Sequence, residues 1–279
     1  MSSTSRFRSV ARSSIVYAII IVVTMAFVFP YLWMVIAAFK SRPDMIAMPP
    51  KVIFTPTLDN FVRLIEDYHL LPAIWNSLVI VMMATTLAVI FGTMASFALA
   101  RFQFPGRNTI LLDLLTIRMV PPIAAAIPIY VIALKAGLFD TYWALVLVNA
   151  VFNIPLVVWV LKVFVEEVPV SIEEAALVDG CSRWRILWSI TFPLVLPGIT
   201  AVTILTAIFV WNEFLFANIL TGAETKTLPV AIALSIQPRG VAWGAAAAGG
   251  TLVSLPIVVL LILIQRYLVR GLTFGVIKS

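Results

Sequence analysis

Six long stretches of this chain are nearly free of charge, and polar clusters separate them. They cover residues 15–39, a run within 70–100, and residues 109–134, 141–161, 194–220 and 245–267. A helix needs roughly 20 apolar residues to cross the hydrocarbon core of a bilayer. The pattern therefore predicts an all-α integral membrane protein with six transmembrane helices, whose two termini face the same side. Two of the six are interrupted: the third carries Asp113, Arg118 and the pair Pro121-Pro122, and the fifth carries Glu213. A polar insert over residues 166–190 separates the fourth span from the fifth. No linker sets off a soluble domain and no strong internal repeat shows. The organisation is an N-terminal segment (1–14), one six-span domain (15–270) and a short tail (271–279).

Composition agrees with the pattern. Of 279 residues, 62% are hydrophobic and 11% are charged, against about a quarter charged in soluble domains. The uncharged run at residues 15–39 exceeds the apolar core of a cleavable signal, about 7–15 residues, so it reads as a retained first span. A single cysteine, Cys181, and a single histidine, His69, leave no internal disulfide, no cysteine zinc cluster and no histidine pair for a metal. The net charge of +6 fits basic loops at an anionic membrane face better than a nucleic-acid partner. Arg6, Arg8, Arg12, Arg101, Arg107, Lys162, Arg183, Arg185, Arg266, Arg270 and Lys278 fall on one side of the predicted membrane. Lys40, Arg42, Lys51, Arg63, Lys135, Lys226 and Arg239 fall on the other. The richer set, with three arginines ahead of the first span, places both termini and the 166–190 insert in the cytoplasm.

The insert itself reads as helix, glycine turn, helix. Pro169 and Ser171 mark a start, and Ser171-Ile-Glu-Glu174 fits a capping box with Ser171 as N-cap. Gly180 fits a helix stop, and Ser182 is placed to cap a second short helix through Trp184 and Leu187. Ala175 and Ala176 are small enough to let another protein approach the backbone. Glu173, Glu174, Asp179, Arg183 and Arg185 supply charge for fixing its register; the plainer alternative is a solvated loop helix. Pro193 and Pro197 set the angle of entry into the fifth span.

The spacing of Glu174, Ala175, Ala176, Gly180, Ile190 and Pro193 resembles the EAA loop of ABC importer permeases, with Phe192 where that family usually has leucine. Ala100-Arg-Phe-Gln-Phe-Pro-Gly-Arg107, Arg118-Met-Val-Pro-Pro122, Trp211-Asn-Glu-Phe214 and the tail ending at Lys278 resemble segments of the carbohydrate, maltose-type branch, and the tail that of the second permease of the pair. The resemblance implies that the loop is a coupling helix docking in a cleft on a separate cytoplasmic ATPase dimer. Glu174 would pair with a basic or hydroxyl group there, Ala175, Ala176 and Gly180 would allow close packing, Asp179 would stabilise the turn, and Lys278 would reach the ATPase interface. It also implies a second permease subunit, an extracytoplasmic sugar-binding protein, a bacterial inner-membrane location, and ATP and Mg²⁺ held by the ATPase rather than by this chain.

Charged groups at membrane depth cost about 2.5–3.5 kcal/mol on insertion scales and are functional candidates by default. Arg118 and Glu213 either line a polar path or make a structural ion pair or a contact to the partner permease. Asn149 and Asn153, spaced i,i+4, share one helix face, and Asn212 and Asn218 flank Glu213. Such amides and carboxylates suit a hydroxyl-rich solute. The tryptophans fit interfacial anchoring better than sugar stacking. No Gly-x-x-x-x-Gly-Lys-Ser/Thr run exists for ATP. A membrane-embedded enzyme lacks its histidine or acid pair. An ion-coupled secondary transporter remains as the alternative, supported only by Asp113 and Glu213.

Overall fold

The computed structural model describes residues 3–67, 70–235 and 243–274, and every regular element among them is helical. In order these are α1 (Ser3–Ala38), α2 (Arg42–Ile46), α3 (Asp59–Asp67), α4 (Leu70–Arg101), α5 (Arg107–Met119), α6 (Pro122–Lys135), α7 (Tyr142–Glu167), α8 (Val170–Val178), α9 (Arg183–Ile186), a π-helical turn (Leu187–Thr191), α10 (Phe192–Leu194), α11 (Leu196–Trp211), α12 (Leu215–Leu220), α13 (Leu228–Ser235) and α14 (Trp243–Phe274).

Four stretches are long and apolar enough to cross a membrane unbroken: Ile15–Ala38, Leu70–Arg101, Tyr142–Glu167 and Trp243–Ile262. The predicted third span is instead two helices, α5 and α6, meeting at 94°. Pro121 and Pro122 explain the break: neither can donate a backbone bond, and the residue before a proline is driven out of the helical region. Val120 is accordingly extended. Segment Arg183–Leu194 meets α11 at 81°, with Pro193 and Pro197 on either side of the bend. The fifth span also stops at Trp211 and resumes at Leu215. By length and composition the described residues hold four such spans, or up to six if each bent pair is one span; the second pair takes in Arg183–Leu194 of the insert, whereas the expected fifth span covers 194–220.

Contacts divide the chain into two compact units, Met1–Tyr68 with Leu234–Ser254, and His69–Ala233 with Leu255–Ser279. In the first, Asn60 Nδ2 donates to the carbonyls of Ala38 and Lys40, both at 2.9 Å, which satisfies backbone oxygens left free where α1 ends. Lys40 is buried; its Nζ donates to the Lys51 carbonyl at 2.7 Å and lies over the rings of Trp33 and Phe54. Most of Ile15–Ala38 is exposed within the chain, with Ala38 buried at its end, as in a helix bordered by lipid or by another subunit.

The second unit is organised on α4, α7 and α11. Ala84, Ala88 and Gly92 form a small-residue stripe on α4, and such stripes let membrane helices approach closely. A Cβ added at Gly92 would collide with the Val157 side chain of α7, and one at Gly198 of α11 would lie 2.6 Å from the Phe164 ring. Phe97, Val157, Leu161, Ile186, Leu187, Ile199 and Val202 fill the core around these crossings. Tyr142 Oη donates to Asn76 Oδ1 at one end of the α4–α7 pair, and Arg101 Nη2 donates to Val165 at the other, so the two helices run parallel.

Asp140, between α6 and α7, fastens the loop after α12. Its carboxylate accepts from the backbone of Gly222, Glu224 and Thr225 and from Thr225 Oγ1 at 2.7–3.2 Å. Partial burial pushes its pKa up, but these bonds outweigh it and hold the group below its ordinary value. A lowered carboxylate contributes stability above its unfolded pKa and loses it as pH falls through the lowered, folded value. Asp140 has φ +57°, a conformation asparagine also accepts, so Asp140→Asn tests the charge and not the backbone. The variant is expected to be about 1–2 kcal/mol less stable at neutral pH, with partial solvent screening already allowed for. The gap should close only below about pH 4, near the ordinary aspartate value. Thermal unfolding followed from about pH 7 to about pH 2 checks this, and a gap that does not narrow as pH falls below about 4 argues against it.

Candidate functional site

Two regions of the second unit carry the chemistry. The first is the helix–turn–helix after α7. Helix α8 ends in a Schellman motif: Cys181 N–H donates to the Ala176 carbonyl and Gly180 N–H to that of Leu177. Gly180 has φ +81°, and a Cβ there would touch nothing within 4 Å. The turn thus needs glycine for its backbone conformation and not for space. Ser182 caps the second helix, its Oγ accepting from Arg185 N–H. That helix continues through the π turn to Leu194, with Trp184, Trp188 and Phe192 in successive ring contacts.

The start of α8 differs from the sequence expectation. Its N-cap is Pro169, Ser171 lies inside the first turn, and no side chain caps the end, so the capping box of Ser171 with Glu174 does not form. The extended Val168-Pro169 pair both ends α7 and starts α8. Glu174 is left exposed with Ala175, Val178, Asp179 and Gly180, on a face available to another protein. Asp179 is the C-cap residue. Ala176, expected to face a partner, is packed in this chain's own core with Ile186 and Leu187.

The residue that holds α8 is Glu173, whose side chain is only 1% exposed. Its Oε1 accepts from Arg101 Nε at 2.9 Å and from Thr191 Oγ1 at 3.1 Å. Arg101 Nη2 also donates to the carbonyls of Val165 and Val168 at 2.7 and 2.8 Å, capping the C-terminal end of α7. Nearby, Arg107 Nη2 lies 3.6 Å from Glu166, and the Arg183 guanidinium rests over the Phe102 ring. The loops at 101–107 and 166–190 therefore meet at one end of the helix pair. The sequence reading counted Glu173 among charges for a partner. The signals that distinguished it were faint: a doubled glutamate, and an arginine closing the second apolar run.

The second region is a cleft of about 470 Å³ lined by Arg118, Asn149, Asn153, Glu213 and the rings of Phe152, Phe209, Phe214 and Phe216. Arg118 stands at the end of α5, its Nη1 3.4 Å from the Phe152 carbonyl and its guanidinium over Phe209. Asn149 and Asn153 are buried on α7, each donating one turn back along the helix, and Asn153 Oδ1 has no partner among the described residues. Glu213 accepts from the backbone of Phe216 and Ala217 at 2.7 and 3.0 Å, so it caps α12 where the fifth span breaks. Asn212 and Asn218 do not line the cleft; both are exposed, and Asn212 Nδ2 turns back to the Ile208 carbonyl. Lys278 lies outside the described residues. Among the described residues no group of histidine, cysteine, aspartate and glutamate could hold a metal.

Residues 88–274 match the family described as binding-protein-dependent transport system inner membrane component. The chain is 40% identical over 257 residues to the probable ABC transporter permease protein y4oR of Sinorhizobium fredii, covering 92% of each chain. It is 32% identical to the trehalose/maltose transport system permease protein MalG of Thermococcus litoralis, covering 90% of this chain and 91% of that one. Its fold is similar, with a TM-score of 0.76 over 96% of this chain and 98% of the other at 20% identity, to a chain in the crystal structure of a bacterial ABC transporter that imports the acidic polysaccharide alginate. The fold, the helix–turn–helix at one end of the α4–α7 pair and these likenesses agree: the chain belongs to the family of inner-membrane components of binding-protein-dependent transport systems, and is a multi-pass permease of the ABC transporter class.

Proposed function

We propose that the chain is the permease subunit of an ATP-driven sugar importer of a bacterial inner membrane, built as one transmembrane domain with both termini in the cytoplasm. A second permease completes the path, an extracytoplasmic binding protein delivers the solute, and a cytoplasmic ATPase dimer holds ATP and Mg²⁺. The observation that carries this reading is the exposed face of Glu174, Ala175 and Val178 on a short helix bolted to the ends of α4 and α7 by a buried ion pair. A helix meant only to be solvated needs no such anchor. Docking on this face turns closure of the ATPases into movement of the membrane helices. Glu174 pairs with the ATPase cleft, Ala175 and Gly180 allow close approach, Asp179 holds the turn, and Lys278 reaches the ATPase interface.

In the cleft, the free Asn153 oxygen, the Asn149 amide and the Arg118 guanidinium offer bonds to hydroxyls, and the phenylalanine rings offer flat apolar faces to a sugar ring. Glu213 acts mainly on its own backbone there, keeping the break in the fifth span open.

Purified from its membrane, the chain is expected to bring the second permease and the ATPase with it. Glu174→Lys should weaken retention of the ATPase about tenfold or more, as loss of a central interface residue does, while leaving membrane insertion unchanged. Full retention of the ATPase by that variant would refute the docking assignment. Uptake stopped by vanadate and indifferent to an uncoupler separates this function from ion-coupled transport.

A further inference from the structure

We infer that Glu173 is the positioning residue through which movement of α8 reaches the membrane helices; this rests on the coupling reading above. The chain offers two routes from α8 into the bundle. The covalent route runs back into α7 through the extended Val168-Pro169 pair, and forward through the left-handed Gly180, the π-helical turn Leu187–Thr191 and the 81° bend ahead of α11. Each is a point where backbone geometry departs from a straight helix, so the route is a poor strut. The second route is one buried constellation. Glu173 of α8 bonds Arg101, the last residue of α4, and Arg101 bonds Val165 and Val168 at the end of α7. The same Glu173 oxygen accepts from Thr191 in the π turn. Four elements therefore meet at a single carboxylate–guanidinium pair.

Burial makes this link stiff. The Arg101 and Glu173 side chains are 7% and 1% exposed, so neither can trade its partner for water when α8 is pushed. Charge-assisted bonds are short and directional, and α4 and α7 are packed against each other along their length through Gly92 and Val157. A displacement of α8 is delivered to both helices together. Glu173 Oε2 is buried with no partner among the described residues. That oxygen gives the carboxylate a second acceptor with which to keep hold of Arg101 or Thr191 as α8 shifts.

The test uses the assembled transporter, reconstituted with its second permease, ATPase and binding protein. ATP hydrolysis is measured with and without the system's own binding protein, as purified. Stimulation reports on the link because a signal from the binding protein passes from the membrane helices to α8 before it reaches the ATPase. Glu173→Gln keeps the shape and removes the charge. It is expected to leave basal hydrolysis within about twofold of the parent and to cut stimulation by the binding protein about tenfold, a typical coupling factor. Thr191→Val should lower stimulation by a smaller factor, and Thr191→Ser should leave it unchanged. Parental stimulation in both Glu173→Gln and Thr191→Val overturns the proposal. So does a loss of basal and stimulated hydrolysis in equal proportion, which marks a structural role alone. If Glu173→Gln fails to assemble, the Thr191 pair decides: equal stimulation in the Val and Ser variants overturns it, and a lower value in the Val variant upholds it. Glu174→Lys is the control. If it loses the ATPase and Glu173→Gln keeps parental stimulation, docking stands and the Glu173 link falls; if Glu174→Lys retains the ATPase in full, docking itself falls.

Discussion

Arg101→Met is expected to destabilise the protein by about 3–5 kcal/mol, because it leaves the Glu173 carboxylate buried with no opposite charge. The guanidinium makes three bonds in one place: to Glu173 Oε1 and to the carbonyls of Val165 and Val168. Methionine fills similar volume and supplies none of them. Val165 still accepts from Val168 N–H, so the uncompensated charge dominates the loss. The double variant Arg101→Met with Glu173→Leu removes that charge as well and should recover most of the stability, since apolar replacement of a whole buried pair is often close to neutral. Thermal unfolding in detergent, read by the fraction remaining monodisperse, gives the comparison. A double variant as unstable as the single one would mean that the carbonyl caps, and not the carboxylate, carry the cost.

The second large effect is at Gly92. Gly92→Leu is expected to cost about 3 kcal/mol or more, at or beyond the upper end of what overpacking of a core costs. Even the first carbon of a side chain would overlap Val157, and the seam between α4 and α7 has no free space at that level. Gly92→Ala should already be harmful, and Val157→Ala in the same chain should relieve part of the loss. Gly180→Ala provides the contrast: nothing lies within 4 Å of the added carbon, so only the left-handed backbone strain of about 1–2 kcal/mol applies. Equal losses at Gly92 and Gly180 would contradict the close approach of the helices.

Much of the architecture was legible from hydropathy. Runs of apolar residues marked the spans to within a few positions, because lipid leaves a backbone no partner but itself and so imposes helix on any long apolar segment. The bent third span could be read from Pro121-Pro122, and the glycine turn of the insert from Gly180, since each depends only on local backbone chemistry. The helices outran their apolar runs at the ends: α7 continues to Glu167, where Lys162 and Glu166 pair at 2.6 Å on successive turns. Hydropathy alone stops at the first charge, whereas backbone hydrogen bonding does not.

The site was legible only in part. Arg118, Asn149, Asn153 and Glu213 were picked out as polar groups at membrane depth, and the fold brings those four to one cleft. Asn212 and Asn218 share the same neighbourhood in sequence and lie outside the lining, because the break at residues 212–214 changes the facing of the chain. The doubled glutamate was the sharpest ambiguity. Local rules favoured Glu174 as a cap, and the structure buries Glu173 and leaves Glu174 in solution.

The sequence by itself determined that this is a helical membrane protein and where its apolar runs are broken, which follow from composition and from proline and glycine chemistry acting over a few residues; the short insert was singled out by a resemblance in spacing. Only the tertiary structure decided which glutamate is anchored, which alanine faces inward and which amides share a cleft. Those outcomes depend on Arg101, Val165 and Thr191, residues 8 to 72 positions from Glu173 in the chain, and a contact across such distances is fixed by how α4, α7 and α11 pack and not by any pattern along one of them.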